Sequence, residues 1–369
     1  MNEIPLVNLR RQYDLLKPEI KDAMERVFMT SDFILGEDVT FFESEFADFI
    51  GVKYAIGVAS GTDALILALK ACGVGSFDEV IVPAFTFIAT AYAVSSCGAR
   101  PVLVDVRETD FNMDPEKLAD ACTPKTKAII PVHLYGCAAQ MDSIRAFANK
   151  RNLLVIEDAC QAHGARYGQE PAGGMSEAGA FSFYPGKNLG CFGDGGIVTT
   201  NDDNLAKKIR TMRNYGQSKK YHHDLVGFNS RLDSLQAAVL RVKLKYLKDW
   251  NLNRRKLVDV YHEALKEVAI GLPCAPCFNP GHVYHLFVIR TKWRDDLLNF
   301  LLANGIGAAI HYPVPIHLHK AYDSLGYKAG DFPVAELLSR QVLSLPIFPE
   351  MFHDEILRVV EAVRQFLGD

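Results

Sequence analysis

The chain has 369 residues, of which 49% are hydrophobic and 23% charged, and these values exclude a disordered or collagen-like protein. The 40 basic and 44 acidic side chains give a formal net charge of −4, which argues against a general nucleic-acid binder because such proteins carry a basic footprint. A chain of this length predicts two or three domains, or one large core with an appendage.

Short apolar runs bounded by Gly, Pro or Asp predict β-strands at 54–59, 80–83, 101–105, 128–132, 153–158, 180–183 and 196–200. Helical patterns lie between them at 62–72, 142–150 and 203–213. This alternation predicts an α/β fold with a mostly parallel sheet between helices. In such sheets ligands bind beyond the carboxyl ends of the strands, so the chemistry is expected there.

The pattern of predicted elements changes after residue 232. A long helical segment at 232–266 precedes a stretch rich in Pro and Gly, and then come strand-like, helical and loop segments at 283–290, 294–304 and 311–319 and a last helix at 354–367. We expect a large α/β domain at residues 1–245 and a smaller α+β domain at residues 246–369. The uncharged stretch at 80–99 contains Pro83 and several Ser and Thr residues, and it predicts a strand, a turn and a packed helix, not a membrane span.

Cysteine and histidine patterns give no sign of a metal site. Cys274 and Cys277 form the one C-x-x-C of the chain, and it has no second pair. The loop 311–319 contains three His residues but no Cys or carboxylate at zinc-site spacing. Scattered cysteines and the absence of a signal-peptide pattern at the start of the sequence predict a reducing, cytoplasmic location.

Two motifs at predicted strand ends each allow two interpretations. Gly61 and Thr62 follow the first strand and open a helix, where they would form a phosphate site or, with Ser60, an ordinary helix cap. Asp158 ends an apolar strand, where its carboxylate would face a cation, such as a metal or a protonated ring nitrogen, or would cap the next turn.

Lys187 is the strongest chemical signal, since it is the one charged residue between Ala178 and Phe192. A lysine in an apolar, glycine-flanked turn is a candidate for a lowered pKa and for Schiff-base chemistry. The alternative is a lysine whose amine reaches out to water.

Further polar residues suggest a site for an anion. Arg213, Lys219 and Arg231 lie in turn-like sequence and could hold a pyrophosphate. His163 could carry a proton or make a structural contact. The glycine-rich turn 193–196 does not match a Walker or dinucleotide-binding fingerprint, which argues against a nicotinamide-dependent oxidoreductase.

Taken together, the motifs resemble the DegT/DnrJ/EryC1/StrS family of pyridoxal-phosphate-dependent nucleotide-sugar aminotransferases. The resemblance is carried, in order, by residues 4–9, 59–65, 157–164, 181–196, 213–216, 229–233 and 312–317. It implies the fold of the aspartate aminotransferases and a homodimer with shared active sites.

The resemblance also implies roles for individual residues. Lys187 would form the Schiff base with pyridoxal 5′-phosphate and shuttle a proton, while Asp158 would keep the pyridine nitrogen protonated. The other implied cofactor contacts are Gln161 to the ring hydroxyl, Phe87 and Cys160 to the ring faces, Gly61, Thr62 and Ser182 to the phosphate, and Asn229 to the phosphate of the partner subunit. Many relatives have a smaller residue than Cys160. Substrate contacts are expected from His163, Tyr184, Arg231, Tyr312 and His317.

The function implied is transfer of an amino group from glutamate to a nucleotide-linked keto sugar, with no nucleic acid, membrane or metal involved. The segments on either side of Lys187 are similar to those of members that act at C3 of a hexose. Two alternatives remain within the same family, a sugar dehydratase and a non-catalytic regulator. Dehydratases of the family replace the lysine by His, and Lys187 argues against that reading.

Overall fold

The computed structural model describes residues 3–274 and 281–368. Within them the α-helices are α1 Leu9–Thr30, α2 Glu37–Ile50, α3 Gly61–Ala71, α4 Ala89–Ser96, α5 Leu118–Ala121, α6 Met141–Arg151, α7 Asp203–Met212, α8 Ser234–Leu244, α9 Leu247–Leu265, α10 Arg294–Ala303, α11 Pro333–Gln341 and α12 His353–Leu367. Short 3₁₀ turns lie at Pro115–Lys117, Leu134–Gly136, Ile316–Leu318 and Lys320–Leu325.

The strands are β1 Tyr54–Val58, β2 Glu79–Pro83, β3 Arg100–Val104, β4 Thr126–Ile129, β5 Leu154–Asp158, β6 Arg166–Tyr167, β7 Glu170–Pro171, β8 Ala178–Ser182, β9 Gly196–Thr200, β10 Gln217–Lys219, β11 His222–His223, β12 Phe287–Arg290 and β13 Val342–Leu345. Seven of them form one sheet in the order β1-β9-β8-β5-β4-β2-β3. Only β9 runs antiparallel to its neighbours there, so the predicted mostly parallel sheet is confirmed.

Alternate residues of the buried strands pack on opposite faces of this sheet. In β2, Val80 and Val82 belong to one apolar cluster and Ile81 to the other. This two-residue period is what a pleated strand imposes, and burial on both faces explains why the strands are apolar throughout. Asp158 and Ser182 end two neighbouring parallel strands of the sheet, so their side chains lie at one edge.

A third apolar cluster holds the C-terminal region together. It combines β12 and β13 with α9, α10 and α12. Ile4, at the other end of the chain, pairs with Ile306 and is buried in this same cluster. The division at residue 245 stays a prediction.

The predicted helix at 232–266 is wrong in one respect, because the structure has two helices there, α8 and α9. The N–H of Tyr246 donates to the carbonyl of Lys243, three residues back, and this tighter turn separates the helices. The stretch rich in Pro and Gly, residues 271–281, lies partly outside the described residues, and Cys277 lies outside them.

The described ranges hold no helix with the length and apolar character that a membrane crossing needs. They also hold no cluster of His, Cys, Asp or Glu side chains arranged to bind a metal ion.

Candidate active site

Lys187 lies on the turn that follows β8, and its side chain is largely buried. The backbone N–H of Lys187 donates to the carbonyl of Tyr184 at 2.9 Å. A Cβ at Gly190 would lie 2.3 Å from the carbonyl oxygen of Pro185, so only glycine allows this close return of the chain. Burial lowers the pKa of the Lys187 amine, and the nearby Cys160 and Asp158 oppose that shift. The amine is therefore more readily neutral than that of an exposed lysine.

Asp158 is the last residue of β5 and is 6% exposed. Its Oδ2 accepts a hydrogen bond from Thr90 Oγ1 at 2.8 Å, and its Oδ1 accepts one from the N–H of Cys160 at 3.2 Å. No basic nitrogen in the described residues lies within 4.0 Å of this carboxylate, so its contacts are to neutral donors and it can take a cationic partner. Thr90 is itself positioned by Thr86.

The β1–α3 turn forms a cup at the same edge of the sheet. Ser60 caps α3 by accepting the N–H of Asp63 at 3.1 Å, which leaves the N–H groups of Gly61 and Thr62 without a helical acceptor. A Cβ at Gly61 would lie 2.6 Å from Ser182 Cβ and 2.7 Å from Cys160 Sγ. Glycine is therefore required for the helix start to meet β8 here. The helix dipole and these N–H groups make the cup a site for an anion.

Gln161 is held in one orientation beside Asp158. Its Oε1 accepts the N–H of Tyr135 at 2.7 Å, so its Nε2 faces the hydroxyl of Tyr312 at 3.0 Å. The ring of Phe87 lies 5.6 Å from that of Tyr312, tilted by 36°. Tyr135 reaches the same region through a hydrogen bond from its hydroxyl to the carbonyl of His311.

The histidines predicted to contact substrate are both buried. Burial and then the charge of Lys187 lower the pKa of His163 to about 3, against a small opposing effect of the Ser182 backbone. Its ring packs against Phe181 and Phe183 and makes no hydrogen bond of normal geometry to a described residue. His317 bonds Glu336 at 3.0 Å.

The remaining predicted site residues lie towards the surface. Tyr184 is 60% exposed, and Asn229 is exposed and pairs through its backbone with Asn214. Arg231 donates to the side chain of Asn214 at 2.9 Å and lies over the ring of Tyr215. Ser230, between Asn229 and Arg231, donates to Asp63 at 2.9 Å, which ties this segment to the first turn of α3 in the same chain.

Sequence reasoning missed several residues that shape this region. Thr90 and Tyr135 contact predicted site residues directly, and burial lowers the pKa of both His285 and His311, with the charge of Lys187 acting in the same direction. Thr90 had a signal, since it is a polar residue inside the uncharged stretch 80–99. His311 stands in the His-containing loop 311–319. Tyr135 and His285 had no signal, because their contacts depend on side chains brought together only by the fold.

A largely buried lysine of lowered pKa, a carboxylate without a cationic partner and a helix-start cup for an anion define an enzyme of amine and carbonyl chemistry. The chain belongs to the DegT/DnrJ/EryC1/StrS aminotransferase family, whose family model matches residues 14–364. The predicted family is therefore confirmed.

Similar proteins span essentially the whole chain. The dTDP-3-amino-3,4,6-trideoxy-alpha-D-glucose transaminase of Streptomyces venezuelae is 48% identical over 98% of this chain and 96% of its own. The crystal structure of S. venezuelae DesV in complex with a ketimine intermediate has a TM-score of 0.97 at 46% identity and 100% coverage of both chains. The structure of NtdA from Bacillus subtilis with its bound cofactor PMP has a TM-score of 0.93 at 34% identity, covering 100% of this chain and 86% of that one. The predicted fold class and the assignment to the aminotransferases are confirmed.

Proposed function

We propose that this protein is a pyridoxal-phosphate-dependent transaminase that moves an amino group from glutamate to the keto group of a nucleotide-linked keto sugar, at C3 of a hexose. The observation that carries the proposal is the amine of Lys187, with its lowered pKa, in the electrostatic neighbourhood of Asp158. The similar protein from S. venezuelae, named for a 3-amino sugar linked to dTDP, supports the carbon and the substrate class.

The residues of this chain fit the cofactor. The cup at Gly61 and Thr62, with the hydroxyl of Ser182, suits a phosphate group, and the carboxylate of Asp158 suits a protonated ring nitrogen. Gln161 would meet the ring hydroxyl, and Phe87 and Cys160 would cover the two ring faces. When bound, pyridoxal phosphate supplies an electron sink beside the carbon that loses a proton.

The chain's own residues would then handle charge and protons. The neutral amine of Lys187 can attack a carbonyl carbon and afterwards accept and return a proton at Nζ. Thr90 and the N–H of Cys160 hold the carboxylate of Asp158 in place, so its charge can keep a proton on the nitrogen it faces. The neutral forms of His163 and His311, with pKa values of about 3 and about 4, add no positive charge that would compete with that proton.

We assign the substrate end of the site to His163, Tyr184, Arg231, Tyr312 and His317. Arg231 offers a fixed guanidinium for the anionic diphosphate, because Asn214 and Tyr215 hold it. We further propose that the enzyme is a homodimer in which the exposed Asn229 of one copy reaches the phosphate in the other.

We place the enzyme in the cytoplasm, since cysteines that remain thiols are typical of a reducing compartment. Cys72, Cys97, Cys122, Cys160 and Cys191 are free thiols in this structure.

Absorption spectroscopy and a substrate screen test the proposal. The purified protein should show the visible band of bound pyridoxal phosphate, and borohydride should fix the cofactor to the peptide that contains Lys187. Glutamate should convert the cofactor to its amine form, and a 3-keto sugar nucleotide should restore the visible band. A protein that binds the cofactor but responds to no keto-sugar nucleotide would contradict the substrate class. A protein that binds no cofactor would favour the non-catalytic alternative.

A further inference from the structure

A chain of three buried polar side chains supports the turn that carries Lys187. Asn188, the next residue, is 3% exposed, and its Nδ2 donates to Asn251 Oδ1 at 2.9 Å and to the carbonyl of Val283 at 3.1 Å. Its Oδ1 lies 3.2 Å from Nδ1 of His285. Asn251, on α9, donates in turn to the carbonyl of His163 at 2.8 Å. We call Asn251, Asn188 and His285 the relay.

The hydrogen-bond directions in the relay are fixed by its two ends. The carbonyls of Val283 and His163 can only accept, so the amide nitrogens of Asn188 and Asn251 must face them. Asn188 therefore presents its oxygen to His285, and the Nδ1 of His285 must be the donor. His285 therefore carries a proton on Nδ1, and in the neutral ring Nε2 then carries none.

The backbone beneath His285 is also fixed. Arg254 is 3% exposed and donates to the carbonyls of Tyr284, His285 and Ile347 at 3.1, 3.4 and 3.1 Å. The relay and Arg254 thus fasten the Lys187 turn and α9 to the segment that precedes β12, and Arg254 also reaches Ile347, which follows β13.

Several positively charged or titratable groups face this region. Burial is the main cause of the lowered pKa of His285, and four neighbours act in the same direction: Lys187, Arg254, His163 and His311. Lys187 also faces Asp158 and Cys160. A neutral His285 thus leaves the lysine amine without an adjacent imidazolium.

We propose that the relay positions Lys187: Asn251 and His285 act through Asn188 to hold the lysine turn in its observed conformation and to exclude water from it. The proposal rests on the proposed function only in taking Lys187 as the reactive amine. A broken relay would leave the Asn188 amide with one hydrogen-bond partner fewer, loosen the turn and admit water. The amine would then be better solvated, and its pKa would rise towards the ordinary value of lysine.

Histidine tautomers in the unmodified protein give the first test. In a full-length chain labelled with ¹⁵N-histidine, NMR should show His285 with its proton on Nδ1, identified by loss of its signal in His285→Gln. Two buried histidines serve as internal contrasts, since Nδ1 of His282 accepts the N–H of Tyr284 and Nδ1 of His133 accepts that of Ala139. Both should carry the proton on Nε2. A proton on Nε2 of His285 in the unmodified protein would overturn the proposal.

The pH dependence of Lys187 gives the second test. In full-length chains freed of cofactor, the rate at which trinitrobenzenesulfonate labels Lys187 is followed by peptide mass spectrometry. The labelling rate, plotted against pH, has a midpoint at the pKa of the Lys187 amine. His285→Leu and Asn251→Ala should move this midpoint to higher pH by about 0.5 unit or more. His285→Gln keeps a neutral donor, so its midpoint should stay within about 0.2 unit of the wild-type value. Asn149→Ala, at an exposed site on α6, is the matched control.

The outcomes separate this proposal from the proposed function. An unchanged midpoint in both relay variants, or an equal shift in His285→Gln, would show a merely structural role and overturn the proposal. Neither measurement uses the transamination reaction. Failure to turn over a keto-sugar nucleotide would therefore count against the proposed function alone.

Discussion

The amine of Lys187 combines burial with the absence of a close ion pair. Among the described residues, no carboxylate oxygen lies within 4.0 Å of it, so the pull of Asp158 is exerted at longer range and does not cancel the effect of burial. A lysine with a lowered pKa holds more neutral amine near neutral pH. That property serves both the attack on a carbonyl and the later movement of a proton.

Replacing Lys187 by alanine should remove activity and leave the fold intact. The side chain contributes a nucleophile and a proton carrier, so we expect turnover to fall by at least about 10³-fold. The melting temperature should stay close to that of the wild type. The matched control is Lys207→Ala at an exposed site on α7, which should keep full activity. Full transaminase activity in purified Lys187→Ala protein would remove the central assignment.

Asp158→Asn should keep cofactor binding but slow proton abstraction. The amide can still be held by Thr90, yet it carries no charge to keep a proton on the ring nitrogen. We expect kcat to fall by at least about 100-fold, which corresponds to ~3 kcal/mol of activation barrier. Single-turnover kinetics would measure it, with the exposed Asp120→Asn as control. A rate within about threefold of wild type, or less than ~1 kcal/mol of barrier, would contradict this role.

Strand β5 explains why two adjacent carboxylates have different surroundings. Asp158 faces the site, while Glu157 is fully buried and accepts hydrogen bonds from the N–H groups of Gly173 and Met175 at 2.6 and 2.8 Å. Ser176 and His133 each add a further contact to it at 2.9 Å. Glu157 thus ties the loop after β7 to the strand that carries Asp158.

Glu157→Gln should destabilise the protein measurably. The amide of Gln has the same size, but its NH₂ group would face N–H groups that donate to Glu157 in the wild type. At least one buried N–H then loses its acceptor. We expect the free energy of unfolding to fall by about 3 kcal/mol. Urea denaturation would measure it. Glu177→Gln is the control, because Glu177 accepts a hydrogen bond from the N–H of Val155 and an amide oxygen can replace that contact. Equal losses in the two variants would argue against the special role of Glu157.

The strands were more predictable than the helices. The seven predicted strands are the seven strands of the main sheet, because short apolar runs between Gly, Pro and Asp are a local signal. Helices α1 and α2 were not predicted, although Leu16, Ile20, Ala23 and Val27 recur at helical spacing and are all buried. Strand β13 was missed because its four residues directly follow α11 and gain their pairing only from β12.

For the molecule as a whole, the ordered motifs predicted the family and the fold, while the side-chain network needed the structure. Lys187, Asp158 and Gly61 stand in recognisable local patterns. The contact between Asn188 and Asn251 joins residues 63 positions apart, and no sequence pattern specifies it. Whether His317 contacts substrate stays a prediction, since its described contact is to Glu336.

Buried neutral histidines should make the protein sensitive to acid. The folded pKa of His163 is about 3, below the ordinary value of about 6.5, so below pH 6.5 the unfolded chain binds a proton that the folded chain does not. The free energy of unfolding therefore falls as the pH falls through this window, by up to ~1.4 kcal/mol per pH unit for this residue. His163→Phe should reduce the slope between about pH 6 and pH 5 by about one proton. The exposed His353→Gln should not change it, and equal slopes in wild type and His163→Phe would contradict the assignment.

Shared sites predict that two inactive chains can restore each other. Lys187→Ala removes the amine of a site, and Asn229→Asp places a negative charge near the phosphate of the partner subunit's site. In a mixed dimer one site receives both changes and the other receives neither. Random exchange of equal amounts should therefore return about a quarter of wild-type activity, because half of the dimers are mixed and each has one intact site.

The control for this experiment mixes Lys187→Ala with Asp158→Asn. Both changes act within the site of their own chain, so every site of the mixed dimer carries one lesion and no activity should return. Native mass spectrometry would establish that exchange is complete in both mixtures. Complete exchange without recovery in the first mixture would exclude the crossing role of Asn229, and an active monomer would exclude the shared site altogether. Recovery in the first mixture alone requires that each site is built from two chains. Only then do both changes fall in one site of the mixed dimer and leave the other site intact.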